Sequence, residues 1–171
     1  MRSIEILQDG LARVAENVHA VVDGADPDVL NRAPAEGANS ITWLVWHLTR
    51  VQDAQIADVA GTPEIWVSGG WADRFALPFA PGETGYGQDP GDVARVVVDD
   101  PALLTGYYDA THRASIDYLA GLSDSDLDRV IDENWDPPVT LGVRLVSIVD
   151  DDAQHIGQAA YLKGLNALRR W

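Results

Sequence analysis

Cysteine is absent from this sequence of 171 residues. Its absence excludes a disulfide framework, a thiolate metal site and a cysteine nucleophile. Any thiol chemistry carried out by this chain therefore requires a thiol supplied from outside.

Long apolar runs are also absent. No stretch approaches the roughly 18 unbroken apolar residues that span a bilayer. The opening segment MRSIEILQDGLARVAENV lacks the apolar core and the small-residue cleavage site of a secretory signal. We therefore expect a cytoplasmic protein with no membrane partner.

Basic residues are few, since 12 Lys and Arg stand against 27 Asp and Glu, which gives a formal net charge of -15 at pH 7. The summed field of such a chain repels phosphate backbones and anionic lipid surfaces. Nucleic acid is therefore not an expected partner, and we interpret the acidity as an aid to solubility.

Apolar residues recur at helical spacing in four long segments, which are bounded by capping residues, proline and glycine. The second segment starts after Ser40 and stops at Gly61, the third opens after Asp100, and the fourth follows Thr140. A chain of this length buries one core without further help. The sequence predicts an all-α four-helix bundle that forms a single domain over residues 1–171.

A long crossover joins the second and third predicted helices. Residues 61–100 hold turns rich in glycine and proline but no sustained period, with one short helix expected at Asp89 and Pro90. The segment also contains several aromatic residues, in which disordered segments are poor. We therefore expect an ordered crossover that packs over the bundle.

Two histidines and a carboxylate can meet between the second and fourth helices. Asp151 and His155 are four positions apart, on one helix line with Ile148 and Leu162, and that line is predicted to face inward. His47 lies on the apolar side of the second helix. Two imidazoles and a carboxylate suit zinc, nickel or ferrous iron, and three protein ligands leave a position for water or substrate.

Spacing alone leaves alternatives open. Two histidines on helix faces are more often satisfied core or surface imidazoles than metal ligands. Asp152, three positions before His155, competes with Asp151 as the carboxylate ligand. His19 and His112 have no partner at ligand spacing and are interpreted as ordinary histidines.

Arg50 and Gln158 are candidates for binding a cofactor or substrate. Arg50 lies one turn past His47 and suits a substrate carboxylate, against the commoner outcome of a surface ion pair with Asp53. Gln158 suits either a hydrogen bond to a metal-bound water or a polar contact within the bundle.

Trp71 is a third candidate for binding a cofactor. It follows two glycines in GGWADRF, as a loop lid over a site requires. Together with Trp43, Trp46 and Trp135 it suits the wall of an apolar pocket above the metal. The alternative for all four is plain core packing.

The segments ANSITWLVWHLTRVQD and DDDAQHIGQAAYLKGL resemble the DinB-like superfamily, especially its actinobacterial branch related to mycothiol-dependent transferases. GGWADRFALPF and ETGYGQ are similar to the same branch, so the resemblance covers roughly residues 25–168. The usual site in that superfamily has one histidine on the second helix and an H-x-x-x-H pair on a later helix. His47 and His155 match the first and last of these, whereas Asp151 stands at the middle ligand.

The resemblance extends to the mycothiol-dependent maleylpyruvate isomerases, which use a carboxylate at the corresponding place. Their H-x-x-R-x-x-D pattern is similar to His47, Arg50 and Asp53. The resemblance therefore implies a metal-dependent S-transferase or isomerase that uses mycothiol or bacillithiol on an electrophile, with zinc preferred over nickel. It also favours a homodimer by analogy.

Two other functions stay open at this stage, and no residue is assigned a catalytic role. The first is a non-catalytic metal-binding or stress-response module with the same fold. The second is a metal-assisted hydrolase, for which Asp152 and Glu133 are the candidate general bases.

Overall fold

The structure of the protein, a computed structural model, describes residues 1–168, so the last three positions of the predicted 1–171 domain lie outside the described residues. The helices are α1 Ser3–Val22, α2 Pro27–Asn31, α3 Ile41–Ala60, α4 Ile65–Ser68, α5 Trp71–Phe75, α6 Pro90–Val93, α7 Ala102–Ala120 and α8 Leu141–Leu168. A 3₁₀ turn at Asp124–Asp128 and a two-stranded antiparallel hairpin, β1 Val130–Asp132 and β2 Val139–Thr140, connect α7 to α8. The four long helices α1, α3, α7 and α8 confirm the predicted bundle.

The ends of α3 follow the local signals in its sequence. The Ser40 hydroxyl accepts a hydrogen bond from the backbone N–H of Trp43, which satisfies one of the free donors of the first turn. Gly61 ends the helix in the left-handed region, with φ of 67°. These two caps fix the limits of the helix that carries His47.

Helix α3 packs against one antiparallel and one parallel long helix. α3 and α8 are antiparallel, because His47 contacts His155 at one end of the pair and Arg144 approaches Asp58 at the other. Tyr107 and Tyr118 of α7 reach successive positions of α3, Asp53 and Val59, so α3 and α7 are parallel. The residues of α3 that face α8 and α7 thus belong to different sides of one helix.

α8 presents one fully buried line and one half-buried line. The buried line contains Leu141, Leu145, Ile148, Asp152, Ile156 and Ala159. Asp151 and His155 lie beside this line and are half-buried, facing α3. The prediction that they continue the inward line was therefore wrong by about one residue of helix rotation, and Asp152 occupies the interior position instead.

The crossover contains three short helices, where the sequence predicted one. α6 forms at the expected Asp89 and Pro90 signal, and α4 and α5 precede it. Trp66, Trp71 and Phe75 of α4 and α5 are buried in the main core cluster. The crossover is thus ordered and packs on the bundle, as expected.

Among the described helices, none combines the length and the apolar character needed to cross a membrane.

Candidate metal centre

His47, Asp151 and His155 form a group that could hold a metal ion. One potential ligand atom from each of the three side chains lies within 4.8 Å of the other two. The two imidazole centroids are 4.7 Å apart, with their planes at 69°. The antiparallel pairing of α3 and α8 brings these residues together across more than 100 positions of sequence.

The orientation of His47 is set by its Nδ1 atom. This nitrogen is 2.6 Å from the carbonyl oxygen of Thr84, which can only accept, so Nδ1 carries the proton and Nε2 keeps its lone pair. Trp43 stacks on the ring at a centroid distance of 4.5 Å. Burial lowers the pKa of His47, which favours the neutral imidazole that a metal ion requires.

His155 is oriented in the same manner. Its Nδ1 lies 2.8 Å from the backbone carbonyl oxygen of Asp151, one turn earlier in α8, so its Nε2 is also the nitrogen left for a ligand. The side-chain carboxylate of Asp151 raises the pKa of His155. A proton therefore competes with a metal ion for this imidazole more strongly than at His47.

Asp151 carries a buried oxygen that makes no hydrogen bond to the described residues. This atom, Oδ2, is 3.4 Å from His155 Nδ1, a contact that becomes an ion pair only when the imidazole is protonated. A buried carboxylate oxygen without a donor is unfavourable unless a cation pairs with it. The donor set and this orphaned oxygen together fit a divalent ion.

Asp152, the alternative carboxylate, points elsewhere. Its side chain is fully buried in the bundle interior and both oxygens lack hydrogen-bond partners among the described residues. Burial raises the pKa of Asp152 well above its ordinary value, which favours the neutral form of the carboxyl group. The geometry thus brings Asp151, rather than Asp152, to the two histidines.

Arg50 and Asp53 lie in the interior rather than in a surface ion pair. Arg50 is fully buried, and its Nη1 is 3.6 Å from Asp53 Oδ2. Asp53 accepts hydrogen bonds from the backbone N–H groups of Ile65 and Trp66 and from the Tyr107 hydroxyl. This network ties the crossover to α3, and the predicted contact of Arg50 with a cofactor remains a prediction.

The four tryptophans proposed as pocket walls occupy different environments. Trp43 stacks on His47, and Trp46 lines a cavity of about 310 Å³ together with residues of the crossover, none of them from the metal group. Trp71 is buried against Gly106 and Tyr107 under the guanidinium of Arg74, and Trp135 is 66% exposed in the hairpin loop. Only Trp43 touches the candidate centre.

The remaining candidates lie at several places on the bundle. Gln158 is exposed one turn beyond His155, on the side of α8 that carries the group. His19 is held between the carboxylates of Asp23 and Asp109, at 3.0 and 2.9 Å. Glu133 is exposed in the hairpin loop.

Thr84 and Gly85 of the crossover contribute to the centre, although neither was among the predicted site residues. Thr84 orients His47 through its backbone carbonyl, so its side-chain type carries no signal. Gly85 has φ of +91°, and a Cβ atom there would lie 2.8 Å from His47 Nδ1. The glycines of ETGYGQ were the sequence signal that could have indicated a close approach of the backbone to a side chain here.

Comparison with known proteins identifies the family. The family model of the DinB superfamily matches residues 11–159. This chain belongs to the DinB superfamily. A crystal structure described as the conserved protein of locus from Enterococcus faecalis is similar to it at 34% identity and a TM-score of 0.89, covering 95% of this chain and 96% of that one. No curated protein matches this DinB-superfamily chain.

Proposed function

We propose that this chain is a metal-dependent transferase that activates a low-molecular-weight thiol for attack on an electrophilic substrate. The proposal is carried by the group of His47, Asp151 and His155, whose ligand atoms lie within 4.8 Å of one another. Three protein ligands leave at least one coordination position for an incoming molecule, as catalytic rather than structural sites do. Membership of the DinB superfamily supports a divalent metal at this place.

Zinc is the preferred ion and nickel the alternative. Two imidazoles and one carboxylate suit these metals, whereas magnesium and calcium favour oxygen ligands alone. Both histidines are held through Nδ1 by backbone carbonyls, an arrangement that fixes the ring and presents Nε2 to the ion.

The chemistry divides between the ion and the chain. When bound, a divalent ion would supply a Lewis acid that lowers the pKa of an incoming thiol. Neutral His47 and His155 add no charge and Asp151 adds one negative charge, so these ligands would leave the site with a net positive charge that attracts a thiolate. The thiol would lose its proton to solvent, and its sulfur would form a bond to the electrophile while the leaving group departs with its own electron pair.

Access to the group is from the α8 side. The side chains of Asp151 and His155 are 33% and 18% exposed, whereas His47 is 5% exposed beneath the crossover. A thiol arriving from solvent therefore meets α8 first. Gln158 is on that side and is available to contact it.

The test begins with metal content by mass spectrometry on protein purified without a metal-affinity tag. We expect about one zinc or nickel ion per chain in the parent protein, and loss of the ion in Asp151→Ala and His155→Ala. Asp150→Ala is the matched control, because Asp150 is exposed on α8 and pairs with Gln154. An absence of metal from the parent, even after zinc or nickel is supplied, would favour the non-catalytic module.

A second measurement separates thiol transfer from hydrolysis. Cobalt-substituted parent protein is titrated with mycothiol and with bacillithiol, and a sulfur-to-cobalt charge-transfer band is expected with one of them. A metal-loaded protein that gives no such band and no thiol consumption with electrophiles would contradict the proposal and favour the hydrolase.

A further inference from the structure

Residues 81–88 of the crossover, termed the strap, run across the half of α3 that carries His47. Arg50 binds the first part of the strap, because its Nε donates to the Glu83 carbonyl and its Nη2 to the Pro81 carbonyl, each at 3.1 Å. The end of the strap is held by Gln88, whose Oε1 accepts from Trp43 Nε1 at 2.9 Å. The strap is therefore fixed to α3 at both ends.

The guanidinium of Arg50 is itself immobilised. Its Nη1 donates to Glu64 Oε2 at 2.7 Å and contacts the Tyr107 hydroxyl at 3.3 Å. Its carbon atom lies 5.1 Å from the centroid of the Trp66 ring. Because a planar guanidinium donates in fixed directions, this arrangement sets the positions of the two strap carbonyls.

The next residue of the strap orients the metal group. Thr84 follows Glu83 directly, and its carbonyl oxygen accepts from His47 Nδ1 at 2.6 Å. Gly85 then packs so closely on the imidazole that an added Cβ would lie 2.8 Å from Nδ1. A shift of the Glu83 peptide would therefore move the acceptor that holds His47.

We propose that Arg50 is a positioning residue for the metal centre. By holding the Pro81 and Glu83 carbonyls, it places the Thr84 carbonyl where only the Nδ1–H tautomer of His47 fits, and this leaves Nε2 to the metal ion. The inference rests on the metal centre of the proposed function but not on thiol transfer. It also assigns the buried charge of Arg50 a role other than substrate binding.

The first readout uses metal-free protein, so it does not depend on loading or activity. Nitrogen-15 chemical shifts of the His47 ring report which nitrogen carries the proton. We expect the Nδ1–H tautomer in the parent and a mixture of tautomers in Arg50→Lys, because an ammonium group cannot reproduce the fork that holds two carbonyls. Arg95→Lys is the matched control, since Arg95 is exposed and pairs with Asp92 outside the strap.

The second readout is cobalt(II) binding, followed by its visible absorption bands. In folded Arg50→Lys we expect an affinity lower by roughly ten-fold or more, with altered bands, because residues that orient a ligand usually change affinity by that much. Arg95→Lys should keep the parent affinity and bands. A parent that binds no cobalt would defeat the proposed function, yet the tautomer measurement would still decide the role of Arg50.

Glu64→Gln serves if Arg50→Lys does not fold, which circular dichroism shows. It removes the ion pair that immobilises the guanidinium but leaves both carbonyl bonds available, so we expect the same changes at smaller size. A parent-like His47 tautomer and parent-like cobalt bands in whichever variant is folded would overturn the proposal.

Discussion

The two helices that meet at the candidate centre differ in whether their buried charged side chains have hydrogen-bond partners. On α3, Asp53 accepts three hydrogen bonds and Arg50 donates to carbonyl and carboxylate oxygens. On α8, Asp151 Oδ2 and both oxygens of Asp152 lack partners among the described residues. Since buried polar groups are normally paired, the Arg50–Asp53 network of α3 has a structural role, whereas the oxygens of Asp151 and Asp152 on α8 are free to pair with a cation or a proton.

Asp53→Val is expected to have the largest effect on stability. Asp53→Val should lower the free energy of unfolding by about 3–5 kcal/mol, because three buried donors and the nearby guanidinium lose their partner. Urea denaturation in the presence of a chelator measures the change. Asp58→Val, at a 75% exposed position of the same helix, is the control and should stay within about 1 kcal/mol of the parent. Equal effects at both positions would remove the distinction drawn for α3.

Gly85 tests how tightly the strap is packed on His47. Gly85→Ala should destabilise the protein by about 2–4 kcal/mol, because the new Cβ would meet Nδ1 at 2.8 Å and the backbone has φ of +91°. Gly87→Ala separates the two causes, since Gly87 has φ of +70° with nothing within 4 Å of the added atom. It should cost only about 1 kcal/mol. Thermal unfolding of the two variants decides whether the contact matters beyond the backbone.

Substitution of Asp152 should change the free energy of unfolding in the opposite direction to substitution of Asp53. Asp152→Val should raise the free energy of unfolding by about 1–3 kcal/mol in chelator, because it replaces an unpaired buried carboxyl group with an apolar one. A loss of stability comparable to that of Asp53→Val would show that Asp152 has a partner, such as a buried water. The proposed difference between α3 and α8 would then be wrong.

The increase in stability expected for Asp152→Val should also depend on pH. Burial raises the pKa of Asp152 in the folded state, so the carboxyl group destabilises the parent increasingly as pH rises above its unfolded pKa of about 3.9, until the raised folded pKa is reached. The difference in stability between Asp152→Val and the parent should therefore be larger at neutral pH than near pH 4. A difference that is constant with pH would contradict this.

The smallest effect is expected from His19, an exposed network unlike either buried region. The Asp109 carboxylate, with Asp23, raises the pKa of His19, so its contribution to stability is complete below the unfolded pKa of about 6.5 and is lost as pH rises through the folded value. Because the side chain is 39% exposed, the contribution is well under 1 kcal/mol. This contribution raises the urea midpoint of the parent at about pH 5.5 relative to about pH 8.5. His19→Gln should remove that part of the difference between the two midpoints, and an unchanged difference would contradict the assignment.

The local part of this fold could be predicted from the sequence. Ser40, Gly61 and the Asp–Pro pairs act on neighbouring backbone, so the long helices and their ends follow from the chain itself. The prediction of which α8 residues face inward was less accurate. Asp151 and Asp152 both fit helical spacing, and only packing against α3 separates them. The spacing and the family resemblance nevertheless brought forward the three residues that the structure places together.

The non-local part could not be predicted. Arg50 finds Pro81 and Glu83 more than 30 positions away, and Asp53 finds Tyr107 at 54 positions. Backbone carbonyls such as that of Thr84 carry no side-chain signal at all. The short hairpin between α7 and α8 also has no counterpart among the predicted elements, since two and three residues are too few to show a period.

The pairing of α3 with α8 gives a bound ion a mechanical consequence. An ion held by His47 and His155 closes a loop of more than 100 residues, as a reversible cross-link would. Global unfolding must then release the ion, so the unfolding temperature should rise with the concentration of free metal. The same metal centre would thus serve this cysteine-free chain as a detachable substitute for a disulfide bond.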